Sequence, residues 1–260
     1  MLQPLQGKEI LITREKSQSQ SFADLVKDLG GIPIKIPLLK ITCKPYMEES
    51  YLLDQVTNYQ WIFFTSANGI HCFFKWLKEY EISFSELDSV QFAVVGHKTG
   101  EILLEYGITA TFFPSIYNAE VMAAEFLQQV TINGQLLIVK GNKSRTVLQE
   151  AFTKNNVAFD EITIYETRSN SGNQSLLNNY LNKDYPDFIT FTSPSSVEAF
   201  IEMVDKDKHL TYIQKTPCVC IGSTTETCAN KLGFTQTMIP EQYTTRGMVE
   251  RIAHYIKERG

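Results

Sequence analysis

The sequence predicts an α/β protein made of two related domains with parallel sheets, and three observations predict it. Short runs rich in β-branched and aromatic residues alternate with amphipathic helical patterns, the arrangement that yields parallel strands joined by right-handed crossovers. The chain also repeats itself at long range. Phe64-Thr65-Ser66 returns as Phe191-Thr192-Ser193, 127 residues on, and Gly96-His97-Lys98-Thr99 returns as Gly222-Ser223-Thr224-Thr225, 126 residues on. The same spacing of 126 separates Gly107 from Gly233, Pro114 from Pro240 and Tyr117 from Tyr243. An offset this long marks two related α/β units rather than a solenoid of short repeats. Finally, 260 residues at 43% hydrophobic content suffice for two medium cores.

Strands are expected at residues 9–13, 32–36, 61–65, 92–95, 111–113, 135–140, 162–165, 188–191, 218–221 and 236–239. Helices with apolar residues at three and four spacing are expected at residues 21–29, 69–78, 119–129, 147–154, 197–204 and 247–257. Each unit then resembles a small flavodoxin-like or Rossmann-like layer. The opening Lys8-Glu9-Ile10-Leu11-Ile12-Thr13-Arg14 has its counterpart mid-chain, in Gly134 to Lys140, so sequence halves need not be spatial halves. The extended stretches at residues 35–44 and 162–171 occupy equivalent places and are candidates for chain crossing. Pro33, Pro37 and Pro45 suit an extended linker better than a central strand.

Composition narrows the function. A net charge of −5 argues against broad nucleic-acid binding, though local positive loops remain open to an anionic small molecule. No apolar run approaches the roughly 18–20 residues of a membrane span, and residues 1–15 lack a signal-peptide pattern, so the expectation is a cytoplasmic protein without membrane contact. The five cysteines form no CxxC pair and read as reduced thiols packed as small apolar side chains. The four histidines show no metal spacing. GxGxxG, GxSxG and HExxH are missing. Gly141-Asn142-Lys143-Ser144 imitates the tail of a phosphate loop, but Leu136 stands where the leading glycine belongs, which argues against a nucleotide. No metal and no cofactor is expected. No long heptad demands a partner chain, so the expectation is a monomer.

Ligands of open α/β sheets bind beyond the carboxyl ends of strands, where helix amino termini present free N–H groups. Six such corners recur here: Thr13-Arg14, Thr65-Ser66, Gly96 to Thr99, Gly141 to Arg145, Thr192-Ser193 and Gly222 to Thr225. Glycine and small hydroxyls let an anion approach the backbone; Ser and Thr also serve as plain helix caps. Arg14, Lys98, Lys143 and Arg145 add cations at the same strand ends, suiting a multiply charged acidic ligand or simply a solvated surface. The pairing of corners by the repeat places function between the two units. Tyr165 ends a strand at a crossing segment, where a phenol either packs with a wet hydroxyl or faces a ligand as a hydrogen-bond donor.

Taken in order over nearly the full length, Phe64-Thr65-Ser66, Val95-Gly96-His97-Lys98-Thr99, Lys140-Gly141-Asn142, Ile164-Tyr165-Glu166-Thr167, Phe191-Thr192-Ser193-Pro194 and Ile221-Gly222-Ser223-Thr224-Thr225 resemble the uroporphyrinogen-III synthase family. The resemblance implies a cofactor-free enzyme that dehydrates and cyclises hydroxymethylbilane, a linear tetrapyrrole, while inverting its last ring. It also implies two α/β domains joined by a two-stranded linker. One domain is expected from residues 1–38 with 168–260 and the other from residues 42–164, with residues 38–42 and 164–168 as linker strands. The family's catalytic tyrosine falls on Tyr165. Its substrate-binding loops fall on Thr65, Ser66, Thr99, Asn142, Arg145, Thr192, Ser193, Gly222, Thr224 and Thr225, to which the corner reading adds Arg14. The family pattern implied by the resemblance often has proline after the first Thr-Ser, where this chain has Ala67. A ligand-sensing regulator with the same fold is the competing reading, and an added DNA-binding segment would favour it.

Overall fold

A computed structural model describes residues 3–45 and 51–259, with the side chain of Ser17 excepted. Residues 1–2, 46–50 and 260, which the expected domain ranges include, lie outside the described residues. In chain order the elements are β1 (Glu9–Ile12), α1 (Lys16–Asp28), β2 (Ile32–Lys35), β3 (Leu39–Cys43), α2 (Tyr51–Asp54), β4 (Tyr59–Phe64), α3 (Ala67–Glu79), β5 (Gln91–Val94), α4 (His97–Glu105) and α5 (Ala119–Gln129). There follow β6 (Gln135–Gly141), α6 (Val147–Lys154), β7 (Phe159–Ser169), α7 (Gln174–Leu181), β8 (Phe188–Phe191), α8 (Pro194–Met203), α9 (Lys206–Ile213), β9 (Cys218–Cys220), α10 (Ser223–Lys231), β10 (Thr237–Met238) and α11 (Thr245–Arg259).

The chain divides into two compact units, Met1–Lys40 with Arg168–Gly260, and Ile41–Thr167. The first holds a sheet ordered β10-β9-β8-β1-β2 and the second a sheet ordered β3-β7-β6-β4-β5. Both have the flavodoxin-like order 2-1-3-4 in their parallel strands. The long repeat matches them strand for strand: β8 with β4, β9 with β5, β1 with β6, and β2 with the start of β7. Each unit therefore takes complementary pieces of the two sequence copies. The chain passes between units within β3 and within β7, which are neighbours in one sheet. Asn170 N–H donates to Leu38 O and Lys44 N–H to Ile164 O, so the two crossing segments run antiparallel.

Strands covered on both faces read as continuous apolar runs, and alternate residues serve opposite cores. In β4, Ile62 and Phe64 enter one cluster with Phe73, Phe74 and Trp76 of α3. Trp61 and Phe63 enter the other, with Phe126 of α5 and Phe152 of α6. Phe126 is its aromatic centre, with ring centroids 4.7 Å from Phe63, 5.0 Å from Trp61 and 5.3 Å from Phe112 in edge-to-face contacts. In the first unit, Leu11 packs with Ile189, Phe191 and Phe200, while Ile10 and Ile12 pack with Phe22, Val26 and Met248.

Several expectations need correction. Residues 111–113 supply only one bridge, Phe112 to Ala93, because Pro114 ends the segment. By contrast, the strand expected at residues 32–36 is present as β2 and the stretch after Pro37 is β3, and both are edge strands, so Pro33 lies in no central strand. Cys43 and Cys72 form a disulfide, with Cα atoms 5.3 Å apart, where reduced thiols were expected. They are 29 residues apart in sequence, and only the packing of β3 beside α3 brings them together. Cys218, Cys220 and Cys228 are free. Among the described residues, no helix is long and apolar enough to cross a membrane, and no group of three or more His, Cys, Asp or Glu is placed to hold a metal ion.

Candidate active site

Parallel registry gathers the polar corners of each unit along one sheet edge. Phe64 pairs with Val94 and with Val139, so Thr65-Ser66, Val95-Gly96 and Lys140-Gly141 are neighbours beyond the strand ends of the second unit. Ile12 pairs with Thr190 and Phe191 with Cys220, which does the same for Thr13-Arg14, Thr192-Ser193 and Ile221-Gly222 in the first.

The corner residues divide by what their side chains already do. Ser66 caps α3, its Oγ accepting from Gly69 N–H at 3.1 Å. Ser193 caps α8 in the same way, accepting from Ser196 N–H at 3.2 Å while Ser196 returns the bond. Gly96 and Gly222 cap α4 and α10 with extended backbone and no side-chain bond of their own, and their carbonyls accept from Thr99 N–H and Thr225 N–H. Beside each stands an exposed tyrosine: a Cβ on Gly96 would meet Tyr117 at 3.3 Å, and one on Gly222 would meet Tyr243 at 3.1 Å. Thr99 and Thr225 are buried one turn in, whereas Thr224 is exposed and Thr65 and Thr192 are half-buried. Thr224 also borders an open depression in the first unit, with Pro194, Glu198, Ser223, Cys228 and Lys231.

Three cationic or amide residues prove to be engaged. Arg14 Nε donates to Gln18 Oε1 at 2.7 Å, and burial lowers its guanidinium pKa below the ordinary value, though arginine stays charged. Arg145 forms a two-pronged pair with Glu120, at 2.6 and 3.4 Å. The backbone N–H at Glu120 and then Arg145 hold that carboxyl below the usual range. Asn142 is a strand clamp: its Oδ1 accepts from Thr167 N–H at 2.8 Å and its Nδ2 donates to Thr167 O at 3.4 Å.

Tyr165 is 8% exposed and lies on β7 opposite Gly141. Its hydroxyl is 3.0 Å from Ser66 Oγ. Ser66 Oγ already accepts from Gly69 N–H, so a Ser66 proton given to Tyr165 leaves the phenol proton free for a third group. Sequence reasoning separated Ser66 from Tyr165 as binder and acid. It gave no partner for Arg145, and it marked Tyr117 and Tyr243 only as members of the repeat, not as neighbours of Gly96 and Gly222.

Two flavodoxin-like sheets in one chain, each with hydroxyl- and glycine-capped helices following its strands, and with tyrosines beside Ser66, Gly96 and Gly222, define a two-unit α/β protein. The family profile described as uroporphyrinogen-III synthase HemD matches residues 20–250, and the chain belongs to that family. A putative uroporphyrinogen-III synthase of Methanocaldococcus jannaschii is 31% identical over 96% of this chain and 100% of its own length. The porphyrin biosynthesis protein HemD of Ruminiclostridium josui is 29% identical over 97% of this chain, which spans about half (49%) of that longer relative. In fold, the chain is similar to a mutant uroporphyrinogen III synthase of Thermus thermophilus, with TM-score 0.65 and 14% identity over 98% of this chain and 100% of the other.

Proposed function

We propose that the chain is a uroporphyrinogen-III synthase: a carbon–oxygen lyase, without cofactor, that converts hydroxymethylbilane into uroporphyrinogen III and water. The observation that carries the reading is the Tyr165 hydroxyl 3.0 Å from Ser66 Oγ at the α3 amino terminus, within a family whose members bear that name. No observation favours the ligand-sensing regulator.

The chemistry asks little of side chains. The pyrrole nitrogen pushes electrons toward the methylene carbon as the carbon–oxygen bond breaks; Tyr165 gives its proton to the departing hydroxyl, which leaves as water, and an azafulvenium cation remains beside the phenolate. General-acid help of this kind contributes about a hundredfold or more. The substituted carbon of the last ring then attacks, giving a spiro intermediate that fragments and recloses with the ring inverted. A proton is lost at the end, so the phenolate can be restored.

Direction is the harder task, since the free bilane closes at the unsubstituted carbon. Its acetate and propionate groups are met, on this reading, by the amides and hydroxyls at Thr65-Ser66, Gly96 to Thr99, Thr192-Ser193 and Gly222 to Thr225, with Arg14 and Arg145 adding charge. Each hydrogen bond to a charged group contributes about 1.5–3 kcal/mol, so four give about 6–12 kcal/mol, comparable with the roughly 4–15 kcal/mol of translational and rotational freedom lost on association. Backbone amides do this without long mobile side chains. The same reading has the enzyme act in the cytoplasm as a monomer. It is tested by mixing purified chain with hydroxymethylbilane, no metal or nucleotide added: consumption well above the spontaneous rate supports it, and consumption at the spontaneous rate contradicts it.

A further inference from the structure

We infer that Gly141 is a positioning residue for Tyr165: its bare α-carbon is the seat of the phenol ring and fixes where the hydroxyl is presented. The inference rests on the reading of Tyr165 as the proton donor.

A Cβ built on Gly141 would overlap Tyr165 Cζ and Cε2 and lie 2.8 Å from the hydroxyl oxygen. No pair of carbon atoms tolerates such an overlap. The backbone does not explain the glycine, because the positive-φ glycines are Gly7, Gly30, Gly107 and Gly233, and Gly141 is not among them. Space for the ring does explain it.

The local strand pairing creates this arrangement. β6 and β7 run in register until a shift between Lys140 and Gly141, after which Gly141 pairs with Tyr165. Since side chains alternate faces, a one-residue shift decides which side chain meets the facing residue. The segment cannot easily yield, for it is pinned on both sides of the ring. Asn142 N–H donates to Tyr165 O at 3.1 Å, and the Asn142 side chain clamps Thr167 at 2.8 Å. Ser144 Oγ accepts from Gly141 N–H at 3.0 Å, fixing the glycine itself. An added methyl must therefore be relieved by the ring, which would carry the hydroxyl away from Ser66.

The test is a double-mutant cycle of Gly141→Ala and Tyr165→Ala, read by steady-state kinetics on hydroxymethylbilane and by thermal unfolding. The expectation for Gly141→Ala is a kcat about 10- to 100-fold lower with KM within about threefold, the cost of misplacing a group by roughly 1 Å. In the Tyr165→Ala background the same change should cost less than about twofold in kcat and no further fall in Tm, since the room is then open. Equal losses in both backgrounds, or full activity of Gly141→Ala alone, overturn the inference. Should Gly141→Ala fail to fold, folding of the double variant supports the seat and its failure overturns it. If Tyr165→Ala keeps wild-type turnover, the acid role falls, and the unfolding arm still decides whether the ring needs the glycine.

Discussion

The Tyr165 hydroxyl stands 3.0 Å from the Oγ of Ser66, the residue that caps α3. One side chain thus serves a helix end and a phenol together. Ser66→Ala should lower stability by about 1 kcal/mol through the lost cap. It should also lower kcat several-fold, and this second loss should vanish in a Tyr165→Phe background, where the phenol is already absent. A cycle of the two variants measures it; fully additive kinetic losses would separate Ser66 from the acid. Tyr165→Phe itself should keep measurable turnover, because the bilane ionises by its own electrons.

Glu120 pairs with Arg145. The pair is exposed, with side chains 53 and 66% accessible, so its attraction is screened and small. If Arg145 also meets a substrate carboxylate, Glu120→Gln should lower KM by up to about fivefold, the kinetic equivalent of the roughly 0.2–1 kcal/mol that exposed pairs contribute. A KM that rises or does not move would remove Arg145 from substrate binding.

The Cys43–Cys72 bond makes a direct count possible. Denatured without reductant, the chain should titrate three thiols, Cys218, Cys220 and Cys228, and after reduction five. Loss of the cross-link, by reductant or by Cys72→Ser, should cost about 3–4 kcal/mol for a loop of this size. Five thiols before reduction would show that the bond is not formed.

A buried phenol, Tyr59, and a half-buried one, Tyr180, set an alkaline limit. Tyr59 donates to Asp160 at 2.7 Å and Tyr180 to Glu9 at 2.6 Å; burial first, and then the neighbouring carboxylate, raises both pKa values above the ordinary phenol range. A raised folded-state value means that the native chain keeps protons which the unfolded chain gives up near pH ~10. The stabilisation is therefore complete below about pH 10 and lost as pH rises beyond it. Urea midpoints from pH 8 to 11 should fall, and less steeply in a Tyr59→Phe/Tyr180→Phe variant. Equal slopes would contradict the assignment.

How much of this was legible in the sequence follows from how far each feature reaches along the chain. The repeat pairing Thr65 with Thr192 and Gly96 with Gly222 was readable because it copies whole strand–loop–helix units, and these pairs occupy equivalent strand ends. The caps at Ser66 and Ser193 were readable because a cap acts within three residues. The exact partners of Asn142 and Arg145 were not, for each reaches 25 residues away to a place only the fold determines. Gly141 was visible as part of a motif, but its purpose depends on a register shift that leaves no compositional trace. The disulfide was hidden for the same reason as any long-range contact: spacing does not report that β3 lies beside α3.

The central claim is that loops at the strand ends steer how a polyacidic chain closes while its own electrons break and make the bonds. Chromatographic identification of the isomer formed from hydroxymethylbilane by the wild-type chain tests this most directly. The account predicts uroporphyrinogen III as the dominant product; the symmetric isomer I, the product of unguided closure, would contradict it.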